Sequence, residues 1–208
     1  MRKKLTSVAD SFVTRLESLE QTRNRVEQLH REQLMGKREV ERVYGSLFIT
    51  AVAFFEALLE ELFLGLLVGK FETPCSIQPR MAFYSEVAAR LVLFADNPYL
   101  EWLPYSKTTK RANIFFSGGR PFSILDDGDR STISRMGCLR NALAHRSKFA
   151  MRKFNEEVIG DMALRPREKT PTAYLRTAVR VDPIQTRYEQ LTLEMSSISF
   201  KLSGRRIK

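Results

Sequence analysis

The sequence has 208 residues, of which 43% are hydrophobic and 28% are charged. This length allows one ample hydrophobic core, and this balance excludes an intrinsically disordered chain. Lysine and arginine number 34 against 24 aspartates and glutamates, which gives a formal net charge of +10. Such an excess favours a polyanionic partner, either nucleic acid or an anionic membrane surface; a protein that is merely basic is the alternative.

Two long helices are predicted first along the chain. Residues 5–33 repeat apolar side chains at intervals of three, four and seven and carry charges on the other face, as an amphipathic helix does. Residues 38–69 are apolar on more than one face, which predicts a helix at the centre of a bundle. Glu56, Glu60 and Glu61 interrupt its most apolar run, so we expect a buried helix rather than a membrane span.

A third helix is predicted at about 79–95, with Pro79 in its first turn. Residues 96–130 contain several glycine, proline and aspartate turn signals and are predicted to be the least regular part. Aromatic side chains alternate there with lysines and arginines, a pattern that can stack on nucleic-acid bases. The same rings can instead plug the open end of a helical bundle, and this is the interpretation we favour for each ring.

Three further helices are predicted in the C-terminal half. The first is capped by Asp129 or Ser131 and runs to about residue 146. A shorter helix follows at about 151–161, and the last one spans 184–201.

Prolines interrupt residues 165–183, which are therefore predicted to form a connector. Within it, residues 174–181 alternate well enough to predict a short strand. Together these elements predict an all-α fold, a bundle with long antiparallel helices. We expect one domain over residues 1–208, with the connector and last helix, 165–208, appended to the bundle.

Metal and cofactor sites are not expected. Cys75 and Cys138 do not have the spacing of metal ligands and do not make a disulfide framework, so a reduced, cytoplasmic setting is expected. The sequence has neither a glycine-rich phosphate loop nor a cluster of ligand side chains at metal-binding spacing. Near the start, Asp10, Arg15 and Glu17 interrupt any apolar stretch of the signal-peptide kind.

The two histidines, His30 and His145, are the first candidates for acid–base chemistry near neutral pH. His30 lies among polar residues and is interpreted as an ordinary surface histidine. His145 shares a helix face with Asn141, four residues earlier, while Arg140 lies about 140° round the helix with a side chain long enough to reach back. These groups suit a phosphodiester, because arginine grips phosphate, imidazole moves a proton and the amide can orient either.

The stretch Leu139–His145 closely resembles the signature of HEPN domains: arginine, four to six residues, then histidine, with asparagine after the arginine and alanine before the histidine. Residues 53–60, in which an aromatic residue precedes Glu56 within an apolar run, resemble an earlier helix of the same family. The resemblance covers roughly residues 5–160 as architecture. Arg146 departs from the pattern, since many members have glycine after the histidine.

This resemblance implies a helical bundle that often dimerises and brings two motifs into one basic cleft. It also implies a metal-independent endoribonuclease in which the RNA 2′-hydroxyl attacks the adjacent phosphate, leaving a 2′,3′-cyclic phosphate. His145 would be the general base or acid, Arg140 would stabilise charge on the phosphate, and Asn141 would position His145 or the substrate. Glu56 would support the site as a partner of Arg140.

Four basic residues after the motif would extend the surface for RNA phosphates: Arg146, Lys148, Arg152 and Lys153. Alternatively, they complement the dipole at a helix C-terminus. The expected partners are RNA, a second copy of the chain and an antitoxin or other defence-system protein, with no membrane. The alternative functions are a non-catalytic HEPN module that binds RNA or nucleotide, and a helical assembly subunit.

Overall fold

The structure, a computed structural model, describes residues 2–95, 97–145 and 147–205. Its α-helices are α1 (Thr6–Arg31), α2 (Lys37–Leu67), α3 (Glu86–Phe94), α4 (Tyr105–Phe115), α5 (Asp127–His145), α6 (Lys148–Lys153), α7 (Pro171–Arg176) and α8 (Arg187–Leu202). Its strands are β1 (Lys3–Lys4), β2 (Phe71–Glu72), β3 (Ala178–Val181) and β4 (Ile184–Thr186). β1 pairs with β2 in parallel, and β3 pairs with β4 as an antiparallel hairpin. The predicted all-α fold is confirmed.

The chain divides into two compact units. The described residues of the first are 2–13, 55–95, 97–130 and 196–205, and those of the second are 14–54, 131–145 and 147–195. The single domain over 1–208, with 165–208 appended, stays a prediction. An apolar stretch of bilayer-spanning length is missing from every helix in the described part of the chain.

The core of the first unit is aromatic. The ring of Phe63 on α2 has the rings of Trp102, Phe115, Phe116 and Phe122 at centroid distances between 5.0 and 6.0 Å. All five side chains are buried. The rings between residues 96 and 130 that make this cluster therefore pack a core, as we favoured, and are not available to stack on bases.

The turn between α1 and α2 contains Gly36. The amide of Gly36 donates to the carboxylate of Glu39 at 2.7 Å, which closes the first turn of α2. His30 is half-buried, and its Nδ1 lies 2.8 Å from the carbonyl oxygen of Met35. The interpretation of His30 as an ordinary surface histidine is therefore incomplete, since it helps to hold this turn.

The third helix begins at Glu86, so the predicted start at Pro79 is wrong. Ser85 caps the helix by accepting a hydrogen bond from the amide of Ala88 at 3.1 Å. Pro79 instead forms a β-bridge with Phe116. Both Pro79 and Ser85 are typical of a helix start, and the helix begins after Ser85, whose side chain accepts the hydrogen bond from Ala88.

The segment 96–130 is more regular than predicted, because α4 occupies Tyr105–Phe115. Its buried residues are Tyr105, Thr108, Ala112 and Phe115, at helical spacing. Buried Thr108 donates its hydroxyl to the carbonyl of Trp102, so a polar residue takes a core position. Glycine and proline signals on either side of α4 obscured this period.

Helix α5 starts earlier than its predicted cap at Asp129 or Ser131. The amide of Asp126 donates to the carboxylate of Asp129 at 3.2 Å, and the amide of Asp129 donates back to Asp126 at 2.8 Å. This reciprocal pair satisfies two backbone donors at the helix start.

The C-terminal elements also differ from prediction in their bounds. The helix predicted at 151–161 is α6 followed by a π-helical turn at Phe154–Ile159. The strand predicted at 174–181 is half right, since residues 174–176 belong to α7 and β3 begins at Ala178. The last helix starts three residues later than predicted, because Ile184–Thr186 pairs with β3. Tertiary pairing overrode the local helical period at these positions.

Candidate active site

The motif lies in the last two turns of α5. Buried residues along α5 include Met136, Leu139 and Ala142, which fix the side of the helix that faces the protein. Asn141 and His145 lie on the opposite, exposed side, and His145 is the last residue of the helix. An amide and an imidazole one turn apart are therefore presented together to solvent.

Arg140 is half-buried and adjoins this exposed face. Its Nη1 donates a hydrogen bond to Oδ1 of Asn141 at 3.0 Å. The bond brings the guanidinium to the side of the helix on which Asn141 and His145 lie. The structure thus joins Arg140 to Asn141, and the arrangement can offer N–H donors and an imidazole to one phosphate group.

Glu56 is half-buried on α2 and belongs to the first unit, whereas the motif belongs to the second. Its pairing with Arg140 stays a prediction.

The predicted RNA-binding residues after the motif differ in how they are neutralised. Lys148 is exposed, and Arg146 lies outside the described residues. Arg152 lies 3.8 Å from the carboxylate of Glu156, one turn on. Their availability to RNA phosphates stays a prediction, but the carboxylate near Arg152 weakens its contribution.

Lys153 has a closer partner. Its Nζ donates to Oε1 of Glu157 at 2.7 Å, and this hydrogen bond raises the pKa of Lys153. The other oxygen of Glu157 accepts from Sγ of Cys138 at 2.9 Å. Burial, followed by the adjacent carboxylate, raises the pKa of the Cys138 thiol to about 12. Cys138 is therefore a protonated donor near neutral pH and not a nucleophile.

A cavity of about 450 Å³ lies beside the motif helix within the second unit. Ala142 and Leu143 of α5 line it, together with Arg38 and Arg42 of α2. Both arginines are exposed, and no ion pair joins either of them to a carboxylate in the described part of the chain. They are one helical turn apart, about 6 Å between Cβ atoms. Sequence reasoning missed them, although their i, i+4 spacing was visible.

A second cavity, of about 610 Å³, is lined by four basic and four acidic residues. Several of its charges are paired with one another: both carboxylate oxygens of Glu27 accept from Arg176 at 2.8 Å, and Arg23 lies 2.8 Å from Glu189. The hydroxyl of Tyr44 donates to Glu27 at 2.8 Å. This network stabilises the second unit, and its balanced charge does not favour a polyanion.

Within residues 2–95, 97–145 and 147–205, no group of three or more histidine, cysteine, aspartate or glutamate side chains is placed to hold a metal ion.

Comparison of the chain with protein-family models, with curated proteins and with solved structures finds no match. The assignment to the HEPN family therefore stays a prediction that rests on the motif and the predicted architecture.

Proposed function

We propose that this protein is a metal-independent endoribonuclease of the HEPN type that acts as a homodimer. The observation that supports it best is the end of α5, where Asn141 and His145 share an exposed face and Arg140 is hydrogen-bonded to Asn141. A basic chain with this triad suits RNA, since the substrate supplies its own nucleophile in the 2′-hydroxyl.

In the proposed reaction, His145 takes the proton of the 2′-hydroxyl while the 2′-oxygen bonds to the adjacent phosphorus. The bond from phosphorus to the 5′-oxygen breaks, and that oxygen leaves with a proton supplied by an imidazolium or by water. The products are a 2′,3′-cyclic phosphate and a 5′-hydroxyl. Arg140 stabilises the negative charge on the phosphate oxygens, and Asn141 positions the phosphate or the imidazole.

The test is cleavage of single-stranded RNA in EDTA by the wild type and by the His145→Ala variant. General acid–base catalysis contributes about 100- to 10,000-fold, and we expect a loss in this range. His30→Gln is the matched control, because it removes the other histidine, and it should retain cleavage once its folding is verified by thermal melting. Equal cleavage by wild type and His145→Ala, or cleavage of the 2′-deoxy substrate, would refute the proposal.

Binding without cleavage is the second candidate, as a non-catalytic module that takes RNA or nucleotide. It is supported by the exposed arginines Arg38 and Arg42, which could hold phosphates whether or not His145 reacts. Tight RNA binding without turnover, unchanged in His145→Ala, is the result that would favour it. A chain with no affinity for nucleic acid at low salt would favour an assembly subunit instead.

We further propose a cytoplasmic setting in a defence or toxin–antitoxin system, where a partner protein restrains the nuclease. Induced expression of the wild type should then arrest growth of a bacterial host, and His145→Ala should not. Equal toxicity of the two proteins would contradict this setting.

A further inference from the structure

The charged side chains of helix α3 are paired with one another and with α2, although one of them, Glu86, is exposed. Glu86 and Arg90 are the charged residues of this helix. Nη2 of Arg90 lies 2.8 Å from Glu60 of α2, and its Nε donates to Glu86 at 3.2 Å. Glu60 also accepts from the indole of Trp102 at 3.0 Å. The polar groups of α3 are thus used within the first unit.

The outward side of α3 is apolar. Val87 and Leu91, one turn apart, are each 68% exposed, and Val92 is 54% exposed. Tyr84, just before the capping Ser85, is 95% exposed. A surface helix ordinarily directs its charges to water and its apolar side chains to the core. Here, contiguous apolar residues face solvent, which is typical of an interaction site.

We propose that this α3 face, defined as Tyr84, Val87, Leu91 and Val92, is the contact surface between two copies of the chain. Tyr84 offers about 200 Å² and the three aliphatic side chains together offer about 200 Å². Homodimer interfaces are about 65% apolar, so an apolar area of about 400 Å² would belong to an interface of roughly 600 Å² per copy. The pair then buries about 1,200 Å², the lower end of specific interfaces.

The absence of charge on the α3 face allows two copies to meet there with little local repulsion. Two chains of net charge +10 repel one another, so they associate most easily through surfaces without cations. All four residues of the α3 face are uncharged, and one apolar stripe is self-complementary across a two-fold axis. An anionic membrane would instead use cations flanking the apolar residues, whereas Arg90 is engaged by Glu60 and Glu86.

This assignment rests on the proposed homodimer but not on cleavage. Its test is analytical ultracentrifugation of the full chain over a range of concentrations. Leu91→Glu places like charges at the interface, so the dimer dissociation constant should rise by about 100-fold or more. Leu193→Glu is the matched control, because Leu193 of α8 is also exposed and lies outside the α3 face. It should leave the dissociation constant within about twofold of wild type.

A mixing experiment separates a lost interface from a misfolded chain. Leu91→Glu and Leu91→Lys chains should each be monomeric, and their mixture should associate more tightly than either alone, because opposite charges then meet. A wild type that stays monomeric, or a dimer that Leu91→Glu leaves intact, would overturn the inference. If the wild type binds phosphatidylserine vesicles without self-association and Leu91→Glu does not, the α3 face binds a membrane and not a second copy, and the inference is overturned. A dimer that forms through α3 without cutting RNA would refute only the proposed function.

Discussion

Replacement of Arg38 and Arg42 by glutamine tests where RNA phosphates bind. Both arginines line the cavity beside α5 and are exposed. In single-stranded nucleic acid, each neutralised phosphate adds about 0.7 to the slope of log affinity against log salt. Loss of two contacts should therefore lower the slope by about 1.4. Between about 50 and 200 mM salt, the wild type should then lose about sevenfold more affinity than the double variant.

The matched control is the double variant Arg152→Gln and Lys153→Gln, which removes the same formal charge. Arg152 and Lys153 each have a carboxylate one turn on, so we expect a smaller change in slope. Affinity is measured by fluorescence anisotropy with 2′-O-methyl RNA, which lacks the hydroxyl that cleavage needs. Equal slopes for wild type and the Arg38/Arg42 variant would refute this placement. A larger change in slope for the Arg152/Lys153 variant would place the RNA-binding surface on the segment after the motif instead.

Three other predictions concern stability and the predicted support of the motif. Phe63→Ala should cost about 3–5 kcal/mol of unfolding free energy in urea titrations, because its ring is the centre of a buried aromatic cluster. Burial alone would raise the pKa of Glu27, but hydrogen bonds, above all from Arg176, lower it overall. Because the pKa of Glu27 is lower in the folded than in the unfolded protein, its ionised carboxylate stabilises the protein near pH 7. This contribution is lost as the pH falls from about 5 through the folded pKa. In urea titrations at a series of pH values, Glu27→Gln should therefore make the free energy of unfolding depend less on pH in this range. If Glu56 supports Arg140, the effects of Glu56→Gln and Arg140→Gln on the free energy of unfolding should be non-additive by about 0.5–3 kcal/mol in a double-mutant cycle. Additive effects would show that Glu56 does not pair with Arg140.

The long helices could be predicted because one kind of signal dominates them. In α1 and α2, apolar residues recur at the helical period over many turns, so single exceptions do not change the assignment. Boundaries depended on individual hydrogen bonds, such as that of Ser85 with the amide of Ala88. The strand β4 depended on a partner, β3, which no local pattern specifies.

The helix face shared by the candidate site residues was predictable from the sequence, whereas the electrostatics around it were not. The spacing of Asn141 and His145 on one face follows from the helical repeat alone. The neutralising contact of Lys153 with Glu157 was readable in principle as an i, i+4 pair. The proximity of Arg38 and Arg42 to α5 was not readable, because about a hundred residues separate them from Leu143 along the chain. Net charge predicts a polyanion, whereas tertiary pairing determines which cations remain to bind it.

The hydrogen bond within the motif narrows the role of Asn141. Its amide could serve either as an acceptor that orients the N–H of His145 or as a donor to the basic imidazole or to phosphate. Because Oδ1 already accepts from Arg140, the group that Asn141 retains in full is its Nδ2 amide, which only donates. A neutral imidazole has a single nitrogen without a proton, and that nitrogen must stay open to take the proton of a 2′-hydroxyl, so the Nδ2 donor suits a phosphate oxygen instead. With His145 as the general base of the proposed reaction, the hydrogen bond between Arg140 and Asn141 thus favours Asn141 as a donor to the substrate phosphate.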